Sequence, residues 1–169
     1  MIDRARAIGE YEGTLREVIH ALKYNGRRSL APRLAAQMRA RGSELLDTAD
    51  GVVPVPLHWR REYQRGFNQA RELARFLERP IIDVLARTRY TRPQVELAAN
   101  RRRQNIEAAF GMRRTVFRGR DGVAGLKIVL VDDVSTTGAT LDACAKVLKQ
   151  AGASEVYALT AARVITRPH

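Results

Sequence analysis

Two adjacent acids, Asp132 and Asp133, stand between an apolar run, Lys127-Ile128-Val129-Leu130-Val131, and a loop of small hydroxylated residues, Ser135-Thr136-Thr137-Gly138-Ala139-Thr140. Carboxylates accept hydrogen bonds from sugar hydroxyls. Successive backbone N–H groups leading into a helix N-terminus attract an anion. Ser135, Thr136, Thr137 and Thr140 add hydroxyl donors, and Gly138 removes the side chain where backbone and phosphate must approach closely. The chemistry this spacing suits is the binding of a phosphorylated sugar, with its phosphate in the loop and its ring over the acids. The same residue types also gather at ordinary capped turns. What gives the pattern weight is its setting of strand, loop and helix.

A second group lies in Val53-Pro54-Val55-Pro56-Leu57, then Arg60-Arg61, then Arg65-Gly66-Phe67-Asn68-Gln69. A strand ends in a stiff loop and a helix begins after several donors. Arg65 offers a bidentate fork to phosphate oxygens, and Asn68 and Gln69 carry amides for a second anion or a base. Taken alone, the run Arg65-Gly66-Phe67-Asn68-Gln69 reads rather as a solvated helix start with Asn68 and Gln69 facing water. His20, His58 and His169 show no triad-like arrangement, though His58 lies beside the loop. The single cysteine, Cys144, excludes an internal disulfide and a cysteine-rich zinc site. It falls in the helix after the phosphate loop and reads as a buried structural thiol.

The elements that must position these groups follow from periodicity. Leu15, Val18, Ile19 and Leu22 place a helix over Tyr11 to Gly26, and a second helix runs from about Leu30 to Leu46 with Pro32 in its first turn. Residues 51–57 read as a strand ending in a stiff loop, whose prolines require it to stop there or to lie at a sheet edge. A helix is expected over Phe67 to Glu78, a short strand over Ile81 to Leu85, and a helix over Arg101 to Phe110. Val129 to Val131 and Val156 to Ala162 read as buried strands, joined by a helix from about Ala139 to Gln150 that Gly152 caps. Strands alternating with helices imply a parallel sheet covered on both faces.

Composition limits the rest. The chain has 169 residues, 45% of them hydrophobic, which suits one domain. It holds no apolar run long enough to span a bilayer, and a charged first six residues replace a signal peptide's apolar core. A cytoplasmic location without membrane contact is the expectation. The formal net charge is +12. Residues 87–120 concentrate it, with ten arginines against Glu96 and Glu107, which suggests an anionic ligand or partner.

The segment Lys127 to Leu141 resembles the phosphoribosyl-pyrophosphate (PRPP) motif of type I phosphoribosyltransferases. In order along the chain come Tyr11-Glu12-Gly13, Leu22-Lys23-Tyr24, Val53-Pro54-Val55-Pro56, Arg65-Gly66-Phe67-Asn68-Gln69, Gln94, Arg101, Asn105 and Phe110, then the PRPP motif. With these, the chain resembles the ComF/ComFC family, the competence-associated branch of that superfamily, from about Tyr11 to Arg163. Many members begin with a cysteine-rich zinc module that has no counterpart in this sequence, so no function of that module is assigned.

The resemblance implies an α/β type I phosphoribosyltransferase fold: a central parallel sheet of about five strands, flanking helices and a small N-terminal hood. One domain would cover 1–169, with a helical hood at 1–50 and a core at 51–169 carrying a mobile loop at about 87–105. It implies transfer of phosphoribose from PRPP to an unidentified nitrogen acceptor, with release of pyrophosphate. Asp132, Asp133 and Arg101 would serve catalysis, with Arg102 and Arg103 also facing pyrophosphate. Ser135, Thr136, Thr137, Gly138, Ala139 and Thr140 would hold the 5′-phosphate. Val55, Pro56, Leu57, Arg65, Asn68 and Gln69 would hold the pyrophosphate. Mg²⁺ would sit at Asp132 and Asp133, mainly through water. Two other classes stay open: a PRPP-binding protein without transfer activity, and a competence or DNA-uptake factor that binds single-stranded DNA. A homodimer is a further open partner state.

Overall fold

The computed structural model describes residues 1–24, 26–88, 109–113 and 122–165. In chain order the elements are β1 (Arg4–Glu10), α1 (Gly13–Tyr24), a 3₁₀ turn (Arg28–Leu30), α2 (Ala31–Leu46), β2 (Gly51–Pro54), α3 (Trp59–Arg65), α4 (Gln69–Ala74), β3 (Leu85–Arg87), β4 (Phe110–Met112), β5 (Lys127–Ser135), α5 (Ala139–Gln150) and β6 (Glu155–Arg163). Four strands form a parallel sheet in the order β1-β6-β5-β2, and β3 and β4 form a separate antiparallel ribbon.

β5 and β6 occupy the middle of the sheet, and their cores, Ile128–Val131 and Val156–Ala162, are buried. Continuous apolar runs of this kind are what a parallel sheet with both faces covered requires. Side chains alternate between faces. On one face Val129, Val131 and Leu159 pack with Ile19, Leu22, Met38 and Leu73 of α1, α2 and α4. On the other, Ile128, Leu130 and Val156 pack with Leu141, Cys144 and Leu148 of α5. A side chain at Gly42 would put its Cβ 2.7 Å from Leu159 Cδ1, so glycine is what lets α2 lie this close to β6.

Helix α5 and the buried strands match expectation, and α1 and α2 match within a few residues. Four regions differ. Residues 4–10, which fall within the helical hood expected over 1–50, form β1. Apart from Ile8 this strand lacks good strand formers, and it exists because it pairs with β6 from Arg4↔Tyr157 to Glu10↔Arg163. The helix expected over Phe67 to Glu78 is shorter, Gln69–Ala74, and α3 precedes it. Gly66 separates the two in a left-handed conformation at φ 75°. The strand expected over Ile81 to Leu85 reduces to one parallel bridge, Ile81↔Val52, followed by β3. That bridge holds the place of a fifth strand beside four full ones. Phe110 closes no helix but begins β4; the rest of the helix expected from Arg101, and most of the loop at 87–105, lie outside the described residues.

Candidate functional site

Strand β5 brings both acids to the C-terminal edge of the sheet, the ligand edge of an open parallel α/β fold. Asp132 sits opposite Thr160 of β6. Its carboxylate accepts the Asp133 backbone N–H at 2.8 Å. Burial, and then the charge of Asp133, push the Asp132 carboxyl up to about 8. Asp133 is buried and accepts an ion pair from Lys23 of α1, Nζ to Oδ1 3.0 Å. Two carboxylates side by side share a site most readily when one is protonated or countered by a cation, and here Lys23 counters Asp133.

The loop beyond them turns sharply at Gly138, φ 76° and ψ −7°, and this residue, which precedes α5, has no side chain to cap the helix. Thr137 Oγ1 accepts the N–H of Ala139, the first residue of α5, at 3.4 Å. A Cβ at Gly138 would find its nearest neighbour at 3.9 Å, Asp142 Oδ2, so the space above the loop is open on the protein side. Amides at a helix start, flanked by the hydroxyls of Ser135, Thr136, Thr137 and Thr140, are donors of the kind an anion requires. The structure thus places the acids and the residues 135–140 on one edge.

The second group lies on the neighbouring strand. β2 pairs with β5 up to Pro54↔Val131, and Val55 N donates to Val131 O at 2.9 Å, so the Val55-Pro56-Leu57 loop leaves the sheet beside the acids. Asn68 fixes this loop. Its Oδ1 accepts the N–H groups of Ala70 and Arg71 as the cap of α4, and its Nδ2 donates to Val55 O at 3.0 Å. Its amide is committed to shaping the loop. Arg65 donates to Gln69 Oε1 at 3.0 Å and lies over the Tyr24 ring, 5.0 Å from its centroid. Gln69 is buried, and its Nε2 has no partner among the described residues.

Sequence reasoning did not assign Lys23, Tyr24 or Arg87 to the site. Lys23 and Tyr24 end α1, the first meeting Asp133 and the second Arg65, so one helix terminus touches both ligand loops. Arg87 ends β3, with its guanidinium over Phe110. It lines a cavity of about 180 Å³ with Pro54, Pro56, Leu57, Trp59 and Arg113. Burial, and then the arginine at 61, hold its pKa below the ordinary value. His58, buried as the cap of α3, is held low by burial and then by Arg87, Arg60 and Arg61. Burial is the larger cause in both, and the lesser contributions come from the basic groups Arg60, Arg61 and Arg87 gathered beside the Val55-Pro56-Leu57 loop, where an anion would be attracted. Arg101, Arg102 and Arg103 lie outside the described residues. Cys144 is buried, and burial raises its thiol pKa, in keeping with a structural role.

Among the described residues no three His, Cys, Asp or Glu side chains converge as a metal cage. Asp132 and Asp133 alone, with one oxygen of Asp133 taken by Lys23, match a cation that keeps most of its water and takes its other ligands from a substrate, as Mg²⁺ does. The residues fit that ion in this limited sense. No helix among the described residues is long and apolar enough to cross a membrane.

Comparison with known proteins agrees with this geometry. Residues 64–168 match the phosphoribosyl transferase domain. Competence protein F of Haemophilus influenzae is 32% identical over 171 residues, covering 95% of this chain and 73% of that protein. DNA utilization protein YhgH of Escherichia coli is 34% identical over 163 residues, covering 90% and 69%. Competence protein ComFC of Bacillus subtilis is 28% identical over 166 residues, covering 96% and 65%. The sheet and the acid-and-hydroxyl edge define a phosphoribosyltransferase-type fold. The chain belongs to the phosphoribosyl transferase domain family, in its competence-associated ComF/ComFC branch.

Proposed function

We propose that this protein binds PRPP at the edge formed by Asp132, Asp133 and residues 135–140, and transfers its phosphoribose to a nitrogen acceptor with release of pyrophosphate. The observation that carries this reading is the joint placement of an acid pair and a glycine-turned helix start at one strand end. The 5′-phosphate sits on the amides and hydroxyls from Ser135 to Thr140. The ribose hydroxyls donate to Asp132 and Asp133. The pyrophosphate lies toward Val55, Pro56 and Leu57, within the positive field of Arg65, Arg87 and their neighbours.

The transfer is a displacement at C1. The nitrogen lone pair forms the new C–N bond as the C1–O bond breaks, and the bonding pair leaves with pyrophosphate. Positive charge builds on the ribose ring and negative charge on the leaving group. No protein nucleophile is needed, so catalysis consists of positioning and of stabilising the departing anion. Mg²⁺, when bound, adds charge neutralisation at the pyrophosphate. A cytoplasmic setting is part of this reading. The test is a pyrophosphate-release assay with PRPP against a panel of nucleobases and amines, with products identified by mass. Release that depends on one acceptor class supports transfer. PRPP binding without release for any acceptor reduces the function to PRPP sensing.

A second reading, single-stranded DNA binding, draws on α3. That helix buries none of its residues, and Trp59 is 65% and Tyr63 87% exposed, interleaved with Arg60 and Arg61. Base stacking on exposed aromatics is worth roughly 1–3 kcal/mol per base. The names of the relatives from Haemophilus influenzae and Escherichia coli, which refer to competence and DNA utilization, point the same way. Fluorescence anisotropy with a single-stranded oligonucleotide separates the readings. Weakened DNA binding in Tyr63→Ala, at unchanged PRPP affinity, would place the two activities on separate surfaces.

A further inference from the structure

α1 ends against the ligand edge. Ile19 and Leu22 are fully buried, so its last turn is anchored in the core and Lys23 leaves it from a fixed point. Lys23 Nζ lies 3.0 Å from Asp133 Oδ1, with the two side chains only 16% and 10% exposed. The other ion pairs among the described residues each have at least one side chain more exposed than these. An ammonium carries three donors. One goes to Asp133, and the other two have no protein acceptor among the described residues. A pair this enclosed, placed in the floor of a site meant for a polyanion, has a use beyond folding. Two bare carboxylates would repel PRPP, whereas a carboxylate already countered by a lysine does not.

We propose that Lys23 is a ligand-binding residue of the PRPP site and the resident cation of its acid pair. Without PRPP it shields Asp133 from divalent metal. With PRPP bound, its two remaining donors face the ligand's oxygens, so that first binding does not depend on metal. This rests on the PRPP reading above.

The test uses two probes, Mn²⁺ alone and PRPP, on the wild type, Lys23→Met and Lys23→Arg, with thermal melts to confirm folding and Lys23→Gln as a substitute should the methionine variant fail to fold. Mn²⁺ binding is followed by electron paramagnetic resonance without PRPP. PRPP binding is followed by calorimetry from chelator to millimolar Mg²⁺. Lys23→Met should bind Mn²⁺ more tightly than wild type. It should lose roughly 10-fold or more of its metal-free PRPP affinity, the scale of a hydrogen bond to a charged group, and the deficit should shrink as Mg²⁺ rises. Lys23→Arg should stay close to wild type in both. Unchanged binding of both probes overturns the proposal. So does an equal loss of PRPP affinity at every Mg²⁺ concentration with no gain in Mn²⁺ binding, because a purely structural pair behaves that way. A wild-type protein that takes no PRPP at any Mg²⁺ concentration overturns the underlying reading and the ligand half of the proposal, while the Mn²⁺ arm still decides the shielding half.

Discussion

The guanidinium of Arg65 lies 5.0 Å from the centroid of the Tyr24 ring and donates toward the Tyr24 hydroxyl at 3.5 Å. The residue before Tyr24 in the chain, Lys23, pairs with Asp133. The end of α1 therefore ties the loop of residues 65–69 to the acids of β5. If Arg65 serves pyrophosphate, Arg65→Ala should weaken inorganic pyrophosphate binding by roughly 10-fold, as loss of a charge-assisted hydrogen bond does. Ribose 5-phosphate affinity should change little. Competition titrations with the two ligands separate these effects, and equal losses for both would assign Arg65 to structure alone.

Removing one partner of the enclosed Lys23–Asp133 pair leaves the other charge uncompensated, which costs about 3 kcal/mol, the low end for buried pairs given the residual exposure. Asp133→Asn and Lys23→Met should each lower stability in urea by that order. The double variant should be more stable than the sum of the two losses predicts, because both charges then leave together. Additive losses would show that the pair is not coupled.

Asp132 gives the apoprotein a pH dependence of a stated sign. Its folded-state pKa, about 8, lies above the ordinary carboxylate range because of burial and then the Asp133 charge. Between the two values the folded state holds a proton that the unfolded chain has released. Stability therefore falls as pH rises through that window, by at most about 1.4 kcal/mol per pH unit. His58, held low, works in the opposite direction at pH values below its ordinary pKa. The comparison is therefore made between about pH 7 and 8.5. Denaturation should show a decline there in wild type that Asp132→Asn removes. The same decline in both proteins would contradict the assignment.

Gly138 holds a left-handed turn at φ 76° with open space above it. Valine there is strained, on the order of 1–2 kcal/mol, and its side chain would fill the space assigned to the 5′-phosphate. Gly138→Val should remain folded by circular dichroism and lose PRPP binding. Unchanged binding would move the phosphate away from residues 135–140.

What was legible in the sequence divides along physical lines. β5, α5 and β6 could be read because their burial is intrinsic: an apolar run, a helical period and a glycine stop. The acids and hydroxyls of the site lie within that same stretch. β1 was not legible, since Arg4, Ala5, Arg6 and Ala7 become a strand only by pairing with β6. The β3–β4 ribbon joins residues far apart in the chain and carries no local signal. Lys23 was legible only as part of the family resemblance, with no role at the site, for a similar reason. A lysine in a helix's last turn is ordinary, and only the packing of α1 over β5 brings it to Asp133. Asn68 was legible as a polar residue at a helix start, but its task in holding Val55 depends on the fold of the loop.

The central claim is that PRPP binds over Asp132 and Asp133, and the most direct test is calorimetric titration of PRPP with Mg²⁺ into wild type and into the Asp132→Asn, Asp133→Asn double variant, each shown to be folded. Loss of hydrogen bonds from the ribose hydroxyls to both carboxylates should weaken binding by roughly 10- to 150-fold. Equal affinity in the two proteins would contradict the placement of PRPP at this strand end.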